Sequence, residues 1–191
     1  ITKARIFEMC RIIKEEKLNL SLTNCMGYPG SNLKEELETL EMNMRIKPEF
    51  SICYMVGAYP GTQIFQYAIK NGYLEESFNF NNIKEDNFAF EYTPFKLKDK
   101  REVTNLQKFF MLLTYFPFLL PVVKLLIKLP PNIIFCKIAR LSHVYAIWRI
   151  DKLSLYDCLS FAFRVKTYFC FKAFQNSNEW KWFFNNKGRN L

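Results

Sequence analysis

The chain has 191 residues, half of them hydrophobic, with a formal net charge of +9. That length and composition exclude a disordered polymer and allow one domain with a sizeable core. The basic charge is scattered among Phe, Leu and Ile instead of forming a Lys/Arg block, and no zinc-finger or RNP-like motif occurs, so no nucleic-acid partner is expected.

Residues 3–16 place Ala4, Phe7, Cys10 and Ile13 near helical spacing with charges between them, which predicts a helix. In residues 18–26, Leu18, Leu20 and Leu22 alternate with Asn19, Ser21 and Thr23, the period of a strand. The polar members of that alternation suit a strand facing a wet interior. The strand runs into Gly27-Tyr28-Pro29-Gly30-Ser31, and residues 32–46 follow as a helix with Leu33, Leu37, Leu40 and Met44 on one face. Pro48 marks its stop. Residues 50–57 are almost uninterruptedly apolar, as expected of a parallel strand covered on both faces. They lead into Ala58-Tyr59-Pro60-Gly61-Thr62 and a short helix over 63–71, with Gly72 as its C′ residue.

Strand, Tyr-Pro-Gly-Ser/Thr and helix therefore occur twice, with a period of 31 residues between Tyr28 and Tyr59. This is the size of a βα unit, and in such folds the turn after the strand faces the ligand site. Pro fixes one φ angle, Gly lets the backbone reverse or approach a ligand, and Ser31 and Thr62 are placed to cap the next helix. The two units with their leading helix fill residues 1–75, whereas a closed barrel takes about eight units and about 250 residues. Two parallel strands alone have bare edges. The expectation is the carboxyl-terminal part of a partial (β/α) TIM-like barrel, with its other strands in an amino-terminal part that precedes Ile1.

Residues 76–97 are polar, aromatic and irregular, and read as a connector. A helical carboxyl-terminal extension is expected over 98–174. It starts at Asp99, with Glu102 completing a capping-box-like pattern, and runs to about Phe116. A second helix is expected over 132–150 and a third after Ser154 and Asp157, before a polar tail over 175–191. Inside the extension, Phe109 to Val123 is a run of fifteen uncharged residues, short of the roughly 20 that span a bilayer. Pro117 and Pro121 interrupt it, and Lys124 and Lys128 follow on one helical face. Three readings stay open: a buried helical hairpin, a membrane-surface segment across 109–135 with lysines at the headgroups, or a span.

Six cysteines, Cys10, Cys25, Cys53, Cys136, Cys158 and Cys170, lie at wide, irregular spacings without a CxxC. They read as reduced, mostly buried thiols of a cytoplasmic protein, with a peripheral membrane position as the variant. The single histidine, His143, has no second ligand at metal spacing, so no metal ligand is nominated. No GxGxxG, P-loop, nucleophile elbow or paired-carboxylate motif occurs.

The segment SLTNCMGYPGSNLKEELETLEMNMRIKPEFSICYMVGAYPGTQIFQYAIKNGYLEE resembles the later barrel half of radical S-adenosylmethionine proteins, particularly those with an amino-terminal cobalamin-binding domain. Gly27, Pro29 and Gly30 match that family's first turn, and Lys47-Pro48 its connector. Tyr59-Pro60-Gly61-Thr62 and Asn71-Gly72-Tyr73-Leu74 match the second unit. The resemblance covers residues 1–75 and extends more loosely to about 165. It implies a parent enzyme in which an iron–sulfur cluster reduces S-adenosylmethionine to a 5′-deoxyadenosyl radical, with cobalamin as a further candidate cofactor and an unidentified, lipid-like substrate. It further implies that Asn24, Gly27, Tyr28, Pro29 and Gly30 lie near the cofactor, and that Tyr59, Pro60, Gly61 and Thr62 line the barrel mouth. Ser31-Asn32 departs from the family's Glu-Thr, and Ala58 stands where Pro or a polar residue is common. The family's CxxxCxxC loop and its cobalamin-binding residues are absent from this sequence, so the catalytic groups stay unassigned. The alternative is a non-catalytic module that docks on a membrane surface or a partner.

Overall fold

The computed structural model describes residues 1–75, 77–78 and 93–151. Helix α1 spans Lys3–Glu15 and is capped by the Thr2 hydroxyl, which accepts from the Arg5 N–H. Ile6, Phe7, Cys10 and Ile13 pack on Leu20, Leu22 and Ile46, so three of the four residues predicted from helical spacing pack, whereas Ala4 is exposed and Ile6 takes its place. The chain leaves α1 through Lys17 at φ 57°, and the Leu18 N–H bonds back to the Ile13 carbonyl at 3.2 Å. This exit takes up residues that the alternation assigns to the strand, and β1 accordingly begins later, at Ser21, and runs to Met26.

Strand β2, Phe50–Met55, lies parallel to β1 in the register Ser21↔Phe50 to Met26↔Met55. Between them, α2 (Leu33–Ile46) ends at Lys47 in the left-handed region just before Pro48, which cannot continue a helix. After β2, α3 spans Gln63–Lys70. Thr62 caps it as predicted, its hydroxyl accepting from the Phe65 N–H, and Gly72 at φ 74° closes it. The described residues are thus α/β, with two βα units in the predicted order and a two-stranded parallel sheet.

Helix α4, Lys100–Tyr115, is the hub. Its Val103, Leu106, Phe109, Phe110 and Leu113 pack with Leu40 of α2, Met26 of β1, and Cys53 and Met55 of β2. Each of these larger side chains contributes roughly 1.5–3 kcal/mol by leaving water. Phe116 ends α4 before Pro117, a 3₁₀ turn covers Pro117–Leu119, and α5 spans Leu120–Leu126. Helix α6, Ile133–Asp151, starts behind Asn132, whose side chain accepts from the Ile134 and Phe135 N–H groups. The fifteen-residue uncharged run is therefore divided. Phe109–Met111 and Leu113 are core, whereas the part from Pro117 is split, with Pro117, Phe118, Pro121 and Val122 exposed and Leu119, Leu120 and Val123 packed on the core. Among the described residues no helix is long and apolar enough to cross a membrane. The expected helix after Ser154, the tail over 175–191 and most of the 76–97 connector lie outside the described residues.

Helix α4 also closes one edge of the sheet. The Phe50 and Val56 N–H groups bond to β1, so the alternate residues of β2 direct their backbone to the outer edge. There the Gln107 side chain donates to the Cys53 carbonyl at 2.9 Å. The Tyr115 hydroxyl donates to the Glu49 carbonyl at 2.8 Å and takes a backbone hydrogen bond from Ser51. Two side chains thus stand in for a neighbouring strand. By the same alternation Ser21, Thr23 and Cys25 of β1 direct their backbone to the opposite edge, where no described residue pairs with them.

Candidate functional site

Because β1 and β2 are parallel and in register through Met26↔Met55, the two Tyr-Pro-Gly turns leave the same end of the sheet side by side. The strands present different chemistry on their two faces. Leu22, Asn24 and Met26 point toward α1 and α2, whereas Ser21, Thr23 and Cys25 are exposed. The open face of β1 is therefore small and polar, and Tyr28 stands at its carboxyl end. Burial raises the Tyr28 phenol above its ordinary pKa, and its contact with the Cys25 thiol adds to the rise.

The nominated residues divide on this geometry. Asn24 is one position out of step with the polar face. Its amide donates to the Asn43 side chain at 3.1 Å and to the Ile52 carbonyl at 3.2 Å, and Asn43 donates back at 2.8 Å. Ser51 completes this cluster by donating to Asn43 at 2.9 Å. Gly27 is likewise occupied: its N–H donates to Glu36 at 2.8 Å and its carbonyl accepts from the Thr93 hydroxyl at 3.4 Å. It sits at φ 77°, a conformation that strains any L side chain, and a Cβ there would push aside the flexible Met55 methyl 2.8 Å away, so the fold itself favours glycine here. Tyr28 and Gly30 are exposed and Pro29 is half-buried, which leaves this trio at the surface of the first turn. Tyr59, Pro60, Gly61 and Thr62 are all exposed, and a Cβ on Gly61 would meet nothing within 4 Å.

Two groups at this end escape a reading of the sequence. Glu36 is 3 % exposed and accepts from both the Gly27 N–H and the Ser31 hydroxyl, at 2.8 and 2.7 Å. Burial raises its carboxyl above the ordinary value, and the two hydrogen bonds oppose that rise. Ser31 is consequently not the cap of α2. Asn32 is, with its side chain accepting from the Lys34 and Glu35 N–H groups. The second group is Asp99. Its carboxylate makes no cap on α4, where the sequence places one, and instead accepts from the Leu33 N–H at 3.1 Å, completing the start of α2 from 66 residues away. The only sequence signal for Glu36 is an acidic residue one turn into the helix behind a Gly-x-x-Gly turn, a pattern shared by many solvated helices.

An open cleft of about 710 Å³ lies beside the first turn, bounded by Gly30, Asn32, Lys34, Tyr73, Lys96, Lys98 and Asp99. It is within the size range of ligand pockets. Lys96 is paired with Glu75, and the first N–H groups of α2 are already bonded to Asn32 and Asp99. Among the described residues no three Cys, His, Asp or Glu side chains gather as a metal site. Cys10, Cys53 and Cys136 are separately buried, and Cys25 is exposed. The described residues therefore do not fit an iron–sulfur cluster, and no step through one is assigned to them. No protein-family model matches the chain, and neither a curated protein nor a solved structure is significantly similar to it.

Proposed function

We propose that this chain is the later wall of a partial (β/α) barrel in a radical S-adenosylmethionine enzyme, with its cluster supplied by residues outside the chain. The observation that carries the proposal is the pairing of two Tyr-Pro-Gly turns at the carboxyl end of two in-register parallel strands, on a face whose β1 half is polar and exposed and whose β2 half is covered by Met111 of α4 and Ala146 of α6. The asymmetry of the sheet supports it as well. The β2 edge is closed by Gln107 and Tyr115, whereas the β1 edge carries backbone that no described residue pairs, on the side from which earlier strands would extend. In this reading Ser21, Thr23 and Cys25 face the barrel interior, Tyr28, Pro29 and Gly30 contact the cofactor, and Tyr59–Thr62 border the mouth. Asn24 and Gly27 act indirectly: they hold the first turn in place through Asn43 and Glu36. S-adenosylmethionine is the expected ligand, cobalamin a further candidate, and the substrate is unassigned.

Two measurements test this. An in-frame CxxxCxxC encoded upstream of Ile1 is required. Equilibrium dialysis of the cluster-bearing protein against S-adenosylmethionine should then show weaker binding for Gly30→Ala and Tyr28→Ala than for the parent. Absence of the motif in the transcript, or unchanged affinity in both variants, sinks the proposal.

A further inference from the structure

Helix α5 has apolar side chains on two faces, and its fold explains only one of them. Val123 and Ile127 are 2 % and 1 % exposed and belong to the central core, with Leu119, Leu120 and Leu126 packed beside them. On the other side Phe118 is 75 % exposed, Val122 55 %, Leu125 68 % and Leu129 48 %. Val122 and Leu125 lie one turn apart on α5, with Phe118 on the preceding 3₁₀ turn and Leu129 on the turn that follows extending the same side. A helix apolar on both sides is ordinarily buried on both. Lys124 and Lys128 flank the outer stripe, both exposed, and neither forms an ion pair with a described residue.

The sequence around this stripe is one-sided in charge, although Lys108 is buried and Arg149 stacks over Tyr115, which leaves Lys124 and Lys128 as the cations beside the stripe. Residues 103–150 contain Lys108, Lys124, Lys128, Lys137, Arg140 and Arg149 and not one Asp or Glu. We infer that the outer face of α5, from Phe118 to Leu129, docks on an anionic lipid surface. The stripe itself offers only Phe, Val and Leu beside two exposed lysines, while the aromatic pocket of Tyr115, Phe116 and Tyr145 lies next to Phe118 and outside the stripe. An apolar stripe edged by lysines can sink into the acyl boundary while the ammonium groups remain among acidic headgroups. The contact proposed is peripheral, along the outer side of α5, and no described helix is long and apolar enough to cross a bilayer. This inference narrows the broad 109–135 expectation to that outer side, and it holds whatever chemistry the barrel residues perform.

The test uses the whole chain in flotation with unilamellar vesicles of phosphatidylcholine, with and without phosphatidylserine. Binding should require phosphatidylserine and weaken at high salt. At about 1 kcal/mol per lysine near such a surface, Lys124→Gln and Lys128→Gln should each weaken it about fivefold. Phe118→Ser with Leu125→Ser should abolish it while circular dichroism stays unchanged, because both residues are exposed. The paired control Lys34→Gln and Lys70→Gln, which removes the same charge elsewhere, should bind like the parent. No vesicle binding, binding indifferent to Phe118 and Leu125, or a control as impaired as the α5 lysine variants overturns the inference. So does a vesicle-independent dimer that the Phe118/Leu125 variant dissolves, since a second copy would then be the occupant.

Discussion

Glu36 offers the sharpest test of how the first turn is held. Replacing it with Ala removes the acceptor of the Gly27 N–H, which is buried, and of the Ser31 hydroxyl, which is half-buried and can turn to water. An unsatisfied buried N–H costs about 1–3 kcal/mol, and the lost methylene adds about 0.8 kcal/mol. Glu36→Ala should therefore destabilise the fold by about 2–4 kcal/mol. Glu36→Gln keeps an oxygen in place and removes the burial of a charge, so at neutral pH it should lie within ~1 kcal/mol of the parent. The pH dependence separates the two effects. Because burial raises the folded-state pKa above the ordinary 4.5, the folded state holds the proton more tightly than the unfolded chain. The corresponding stability is fully present below 4.5 and is lost as pH rises through the folded value. Urea unfolding followed by circular dichroism, from acid to neutral pH, should show the Gln variant gaining on the parent as pH rises. Equal loss in the Ala and Gln variants, or a pH slope retained in Gln, would refute the role assigned to the carboxylate.

Four further outcomes are expected. Gly27→Ala should cost somewhat more in urea unfolding than Gly61→Ala: both residues have positive φ, a backbone penalty of roughly 1–2 kcal/mol, but Gly27 is buried, so its Cβ must also displace the Met55 methyl and crowd Thr93, whereas Gly61 faces open space. In the native chain, alkylation read by peptide mass spectrometry should modify Cys25 well before Cys53, whose thiol is buried and pushed well above its ordinary pKa. Tyr115→Phe should cost about 1 kcal/mol through the unpaired Glu49 carbonyl. Burial pushes the Tyr115 phenol up to about 12 from 10, against a lowering by Arg149, so its contribution is present below 10 and fades toward 12; denaturation curves across that alkaline window should lose this slope in the Phe variant.

What the sequence made legible was what depends on short-range period and turn chemistry. Helical spacing located α1, α2 and α3, the apolar run located β2, and Thr62 and Gly72 marked the two ends of α3. What it left hidden depends on which distant side chain reaches a given backbone group. Asp99 followed by Glu102 reads as a local cap, yet the Asp99 carboxylate serves α2 instead. Asn24 reads as one more polar strand residue, but the strand period places it with Leu22 and Met26, and only α2, by supplying Asn43, turns that position into a buried hydrogen-bonded cluster. Gln107 and Tyr115 carry no signal at all, since any polar side chain on an apolar helix face could be meant for solvent.

The edge those two residues close also decides how the open end should be read. A two-stranded parallel sheet is not a stable unit by itself, because both edges and at least one face need cover. Here the cover is unequal. The β2 edge has Gln107 and Tyr115, and its open face has Met111 of α4 and Ala146 of α6 against Ile52. The β1 edge has no described partner, and its exposed face carries Ser21, Thr23 and Cys25, which are too polar to be a core left bare. An edge intended for water is usually defended by charge, by Pro or by a bulge. β1, with the sequence SLTNCM, has none of these. Small polar side chains beside backbone that no described residue pairs are instead compatible with a further parallel strand, as the proposed barrel reading expects. Adding charge at that edge therefore gives a discriminating result: Thr23→Lys should leave the 191-residue chain as stable as before, yet impair the fold or assembly of a protein in which β1 is an inner strand. Equal tolerance in both settings would show that β1 is a true edge.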